Sequence, residues 1–321
     1  MPNRRRACRS DSDDCTPAAT VGISASPGRL ARLLRIDEQR DPIRQVVASI
    51  RGIRTRRPSR PGSARHPPPR LAHPIALHFR LVPTVTLSLK SVVAATPRSR
   101  LVTLDLAGHV FDFKPGQAVI IGAPGNGPRR PYSIACSPEQ ASETRALELL
   151  IALESDSSLG PHLPDCQPGS PVEVEGPLGT FFFPVTFPNQ RLLFVAGGSG
   201  IAPLRAMIDH LLRKDPGQGI SLLYSARNSE EFAFNEELRG HEKRGRLELH
   251  CTVTRDESPT WAGGRGRIGR SHFERVLHEP ANTMCFVCGP MAMVKESVST
   301  LAALGVPFEA IRTEEWVAPR G

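Results

Sequence analysis

The segment Val195-Ala196-Gly197-Gly198-Ser199-Gly200-Ile201-Ala202-Pro203 stands between a continuous apolar run, RLLFVAGG at 191–198, and apolar residues at helical spacing, Ile201, Leu204, Met207, Ile208, Leu211 and Leu212. Its chemistry is phosphate cradling. Glycines let a backbone turn sharply and approach a pyrophosphate with no Cβ in the way, and Pro203 suits the first turn of a helix whose free N–H groups face an anion. Pro203 replaces the third glycine of the six-residue dinucleotide fingerprint, and a lone glycine turn also serves any tight strand-to-helix connection. Arg227 follows the next apolar run, where the adenosine ribose of a dinucleotide would lie. Arginine there suits a 2′-phosphate, whereas a carboxylate suits ribose hydroxyls, and Glu230 and Glu231 follow within a few residues. Both kinds of nucleotide stay open.

Cys285 and Cys288 form a Cys-x-x-Cys pair, but zinc needs four ligands and no second pair at suitable spacing exists. In a strand these two side chains lie on opposite faces. No metal is expected. The seven cysteines are odd in number and irregularly spaced, unlike a disulfide framework, and are expected as free thiols.

These residues need elements to hold them. TVTLSLKSVV from Thr84 and LVTLDLAG at 101–108 alternate apolar and polar residues as half-buried strands do. Further strand-like runs lie at 118–122, 131–135, 147–153 and 171–175, with turns at Lys114-Pro115-Gly116 and Gln167-Pro168-Gly169. Six short strands with no convincing helix between most of them predict a small antiparallel barrel. After Asn189 the pattern alternates: strands at 191–198, 220–226, 247–253 and 284–288, helices beginning at Ile201 and over 229–243, 271–278 and 290–304. That predicts a doubly wound parallel sheet. The domains are placed at 81–188 and 189–321.

Residues 1–80 differ in texture. They hold 17 Arg, no Lys and six acids, a net of +11 in a chain whose total is +9, so the body carries −2. The stretch RGIRTRRPSRPGSARHPPPR at 51–70 has almost nothing apolar with which to offset chain entropy, and the tail is expected to be disordered. Residues 30–50 alternatively offer a basic amphipathic helix interrupted by Pro42. A nucleic-acid or membrane-surface partner is a question for the tail alone. No apolar stretch of 18 residues exists, and the N-terminus lacks a secretory signal's apolar core, so the cytoplasm is the expected compartment.

Upstream of the glycine turn lies Arg129-Arg130-Pro131-Tyr132-Ser133-Ile134-Ala135-Cys136-Ser137; then follow Gly176-Pro177-Leu178-Gly179-Thr180-Phe181, the turn at 197–203, and Cys288-Gly289-Pro290-Met291-Ala292-Met293. Four motifs in this order resemble the ferredoxin–NADP reductase superfamily, over roughly residues 84–316. The resemblance implies an FAD-binding barrel followed by an NAD(P)-binding α/β domain. It assigns Arg130 to the flavin diphosphate, Tyr132 to the face of the isoalloxazine with Pro131 beside it, and Ser133 to flavin N5. Arg129 is read as solvated charge. Gly179 and Thr180 belong to the turn that closes the flavin barrel. Gly197, Gly198, Gly200, Pro203 and Arg227 fall to the nicotinamide nucleotide, and Cys288, Gly289, Pro290 and Met293 to the nicotinamide end. Where relatives carry a Ser or Thr for the flavin diphosphate this chain has Gly160, with Ser158 as a substitute donor and His162 either a loop histidine or a contact. Glu315 is assigned to the nicotinamide pocket, while Trp316 shields the flavin or caps the core. The implied catalytic set is Ser133, Cys288 and Glu315. The implied activity is hydride transfer from NADH or NADPH to FAD. With no Cys-x4-Cys-x2-Cys module in the chain, the electrons go on to a separate ferredoxin, flavodoxin, oxygenase component or small molecule. The alternative is a subunit active only inside a larger redox complex.

Overall fold

A computed structural model describes residues 82–154, 158–164, 167–185, 191–215 and 217–316, with only the backbone of Trp316; the expectations for residues 1–80, and for the side chain of Trp316, lie outside the described residues. The described residues belong to one compact unit, Leu77–Gly321.

Six strands come first: β1 (Thr84–Thr96), β2 (Ser99–Asp105), β3 (Ala118–Gly122), β4 (Arg130–Ser133), β5 (Ala146–Ala152) and β6 (Pro171–Leu178). They pair antiparallel in the order β4-β3-β6-β1-β2-β5. Period-2 alternation sends Leu87, Leu89, Val102, Leu104, Val119, Ile121, Val172 and Val174 into one interior. β1 serves two neighbours. Its first residues, Thr84–Ser88, pair with β6 and its later ones with β2, and irregularities in the β2 pairing between Leu89 and Ser91 and between Ala94 and Thr96 bend it. An Ile134–Leu149 bridge and the Ala135 N–H to Glu148 O bond at 2.8 Å join the two edge strands and close the barrel. Helix α1 (Pro138–Thr144), absent from the sequence reading, lies between β4 and β5. Its signal was present: Ser137 Oγ caps it by accepting from the Gln140 N–H at 3.0 Å, and Pro138 opens the first turn.

The second sheet is wholly parallel, β10-β9-β8-β7-β11-β12, built from β7 (Arg191–Gly197), β8 (Gly219–Ala226), β9 (Glu248–Val253), β10 (Gly264–Arg265), β11 (Thr283–Pro290) and β12 (Ile311–Trp316). Helices α2 (Ile201–Lys214), α3 (Asn235–Lys243), α4 (Arg270–Val276) and α5 (Met291–Ala303) complete it. With both faces covered, central strands are apolar throughout. Leu192, Phe194 and Ala196 join α2 in one core, and Leu193 and Val195 join α4 and α5 in another. Cys288 and Cys285 are divided between the same two cores, on opposite faces of β11. β7 and β11 are neighbours although the chain leaves them in opposite directions, so a crevice opens at their carboxyl ends.

The single acidic helix expected over 229–243 is a short 3-10 turn, Ser229–Glu231, followed by α3. Phe232 and Ala233 are drawn inward between them, with Phe232 packed on Tyr224 at 4.9 Å and on Trp261 at 5.4 Å. Apolar burial at 232–234 overrides the helical pattern.

Candidate active site

On the barrel, β4 presents Arg130 and Tyr132 toward the 158–164 loop. Arg130 pairs with Glu154, and both line a hollow of about 460 Å³ with Ser158, Gly160, Pro161 and Leu163. Gly160 has φ +95°, and a Cβ there would come within 3.2 Å of Arg130 Nη1 and 3.3 Å of His162 Nδ1. Its N–H donates to Ser158 Oγ at 3.2 Å. His162 is fully buried, not a loop histidine in solvent. Its Nε2 meets the Tyr132 hydroxyl at 2.9 Å, and the rings stack with centroids 5.5 Å apart. Burial, with the Arg130 charge nearby, pushes the imidazole down to about 4, so it is neutral near pH 7, and its buried Nδ1 has no partner among the described residues. A guanidinium, a glycine in the left-handed region and an orphaned ring nitrogen fit the diphosphate and ribityl end of a flavin nucleotide. Arg129, read as solvated, instead donates to Glu175 at 3.2 Å across the barrel. Gly179, at φ +91°, and the exposed Thr180 form the turn after β6, which the Gln117 amide holds by donating to Gly179 O.

On the parallel sheet, two glycine turns interlock. A Cβ on Gly197 would lie 2.6 Å from Met293 Sδ, and one on Gly200 would lie 2.3 Å from Cys288 O. Gly289 is constrained as well, since a Cβ there would reach Met293 Cε at 2.6 Å and the Cα and N of Gly197 at 3.1 Å. Gly198, at φ +56°, has nothing within 4 Å of its would-be Cβ and faces open space. Pro203 is buried in the first turn of α2, whose N-terminus no side chain caps. Beside this turn lies a cavity of about 430 Å³ lined at one end by Gly197, Gly198, Pro290 and Met293. At the other end stand Arg227, Arg255 and Arg267. Among the described residues none of these three guanidiniums has a carboxylate partner, and the Arg255 N–H donates to Arg227 O at 2.8 Å. Glu231, one of the two acids that compete with Arg227 in the sequence, lines the same cavity and there pairs with Arg98 at 3.7 Å. This donor set fits a dinucleotide. Sequence reading missed Arg255 and Arg267, which follow or flank strands β9 and β10 as Arg227 follows β8; that common position was the available signal.

One carboxylate gathers both halves. Ser133 Oγ, from the end of β4, donates to Glu314 Oε2 at 2.9 Å, and the Cys288 thiol, from β11, donates to the same oxygen at 3.7 Å. Burial raises Glu314 above the usual carboxylate range, despite the Ser133 bond. Burial and then the Glu314 carboxylate push Cys288 well above a free thiol. Cys288 is therefore a protonated thiol and no nucleophile. Glu315, the residue assigned from sequence, is exposed. The correction follows from strand period: β12 pairs Cys288 with Glu314, so the next residue faces away.

A basic hollow on the barrel, a cavity beside the glycine turn of the parallel sheet, and a half-buried hydroxyl and carboxylate that meet a buried thiol suit an oxidoreductase that binds a flavin and a nicotinamide nucleotide. Family models agree in order and extent: an oxidoreductase FAD-binding domain matches residues 84–183 and an oxidoreductase NAD-binding domain residues 194–299. The chain is 30% identical to ferredoxin–NADP reductase B of Sorangium cellulosum, over 65% of this chain and 87% of that one. It is 28% identical to oxidoreductase NAD-binding domain-containing protein 1 of Danio rerio, over 70% and 89%. The solved ferredoxin reductase in carbazole 1,9a-dioxygenase superposes with a TM-score of 0.63 at 25% identity, covering 73% of this chain and 69% of that one. The protein belongs to the ferredoxin–NADP reductase family, as an FAD-dependent NAD(P)H oxidoreductase. Among the described residues no helix is long and apolar enough to cross a membrane, and no group of three His, Cys, Asp or Glu is placed to hold a metal.

Proposed function

We propose that the chain draws reducing equivalents from NADPH into its FAD and hands the electrons to a separate redox protein, a ferredoxin, a flavodoxin or an oxygenase component. The observation that carries this reading is the meeting of Ser133 and Cys288 on the half-buried carboxylate of Glu314. When bound, the two cofactors supply the hydride chemistry, nicotinamide C4 to flavin N5, and a reduced flavin can release its electrons singly. The chain's part is positioning and exclusion of water. Arg130, Ser158 and Gly160 hold the flavin diphosphate, and Tyr132, fixed by His162 and flanked by Pro131, sets the ring plane. Gly179 and Thr180 close that end. Gly197, Gly198, Gly200 and Pro203 present the backbone of α2 to the nucleotide pyrophosphate. Ser133 places its hydroxyl for flavin N5, and Glu314, which accepts that hydroxyl's hydrogen bond, orients it. Cys288 stays uncharged and, with Gly289, Pro290 and Met293, shapes an apolar seat for the nicotinamide. A protein acceptor is favoured by the relatives, two of which are named ferredoxin reductases.

NADPH is favoured over NADH by the three carboxylate-free arginines at the far end of the 430 Å³ cavity and by the diversion of Glu231 to Arg98. Removing guanidiniums from a phosphate site removes charge-assisted hydrogen bonds of about 1.5–3 kcal/mol each. Stopped-flow bleaching of the flavin in Arg227→Ala, Arg255→Ala and Arg267→Ala is the test. At least one variant should raise the NADPH concentration for half-saturation by roughly tenfold or more, leaving NADH within about twofold. Equal changes for both nucleotides in all three would reject a 2′-phosphate site here.

A further inference from the structure

Arg205 is a buried cation that the chemistry above does not use. It lies in the second turn of α2, five residues past Gly200, and only 7% of it is exposed. All three guanidinium nitrogens are engaged. Nε donates to both oxygens of Glu237 at 3.0 and 2.9 Å, and Nη2 stands 2.8 Å from Glu237 Oε2, on α3 of the parallel-sheet half. Nη1 crosses to the barrel, donating to Ala135 O at 2.9 Å and to Glu148 Oε2 on β5 at 2.6 Å. The planar group also lies over the ring of Phe234, 4.4 Å from its centroid.

Adhesion does not need this charge. Ala135, Leu150 and Phe181 of the barrel already share an apolar core with Phe194, Met207, Tyr224 and Phe286 of the parallel-sheet half. Buried ion pairs are poor sources of net stability, because desolvation offsets attraction; their best attested use is to fix a register. Arginine's rigid fork suits that use. The two ends it joins are the two ends that matter. Ala135 lies two residues past Ser133, and Arg205 lies in the helix that opens at Gly200. An error in this joint would shift the flavin-holding strand against the nucleotide-holding turn.

We propose that Arg205 is a positioning residue: by bonding Ala135 O and Glu148 on the barrel and Glu237 on the parallel-sheet half, it sets how closely nicotinamide is presented to flavin. This rests on the flavin–nicotinamide reading above.

The test is stopped-flow reduction of the FAD-loaded protein by saturating NADPH in Arg205→Met, Arg205→Lys and Glu148→Gln. The last removes the charge on the barrel side alone and leaves Arg205 paired with Glu237, so it reports even should Arg205→Met fail to fold. All folded variants should keep FAD and bind NADPH, by equilibrium titration, within about threefold of the parent. The limiting rate of flavin reduction should fall at least tenfold in Arg205→Met, nearly as far in Arg205→Lys, whose single ammonium cannot make the fork, and about threefold in Glu148→Gln. The long-wavelength absorbance of the stacked flavin–nicotinamide pair should weaken in step. Rates within twofold of the parent and an unchanged absorbance band in the folded variants would overturn the proposal and leave Arg205 a stabiliser of the fold. A parent that binds no FAD, or is not bleached by NADPH, would instead overturn the reading on which it rests.

Discussion

Glu314 sits where a carboxylate is costly and is kept there by a serine from the other half of the molecule. Because burial raises it, the folded chain favours its neutral form. The stability linked to that form is fully present below the ordinary carboxylate value and is lost as pH rises from there through the folded value. Glu314→Gln makes neutrality permanent. The variant should therefore gain stability over the parent as pH is raised from 4 to 8, read by urea midpoints, while its flavin reduction falls roughly 10- to 100-fold because the carboxylate that orients both the Ser133 hydroxyl and the Cys288 thiol is gone. Glu315→Gln, at an exposed site, should change neither. Reduction unimpaired in Glu314→Gln would remove Glu314 from the chemistry. The sequence placed an acid in this pocket but chose its neighbour: two adjacent glutamates have the same composition, and only the pairing of Cys288 with Glu314 says which one faces in. Arg205 was invisible for a related reason. Its partners lie at 135, 148 and 237, and no local pattern brings those positions together.

The two glycine turns do different work at the scale of elements. Gly200 lets the end of β7 lie against the end of β11, and a Cβ there would stand 2.3 Å from the backbone oxygen of Cys288, which has no flexible end to yield. Gly200→Ala should cost about 1–3 kcal/mol of unfolding free energy by overpacking. Gly198 has no such neighbour; its positive φ costs an alanine about 1–2 kcal/mol, and its Cβ would project where a pyrophosphate must approach. Gly198→Ala should therefore raise the dissociation constant for NADPH by tenfold or more. Gly200→Ala, once folded, should raise it less. The reverse ranking in equilibrium titrations would mean that Gly198 is a turn residue only. The motif was legible because glycines between a buried strand and an amphipathic helix are a local signal. The elements that escaped are those whose cause is not local. β12 is a polar edge strand defined by its partner β11, and β10 is two residues long. The break at 232–234 arises because Phe232 packs on Tyr224 and Trp261.

At the scale of the whole molecule, the change from alternating to continuous apolar strands gave both sheets, since a half-covered barrel and a doubly covered parallel sheet leave different periods in the chain. The core, however, crosses the division placed at residue 188. Barrel residues Ala135, Leu150 and Phe181 pack with the parallel sheet, and Phe183 meets Phe286 at 5.1 Å. Unfolding one half would strip that shared surface from the other, so the halves should unfold together. Both tryptophans of the chain, Trp261 and Trp316, lie on the parallel-sheet side, whereas FAD should draw most of its binding energy from the barrel. Saturation at a hundred times the dissociation constant stabilises a coupled fold by about 2.7 kcal/mol. In urea titrations followed by tryptophan emission, added FAD should move the transition to higher denaturant by that amount, coincident with the far-ultraviolet dichroism. A tryptophan transition that ignores FAD while the dichroism splits into two steps would show two independent bodies, and the joint that Arg205 makes would then have no common core to register.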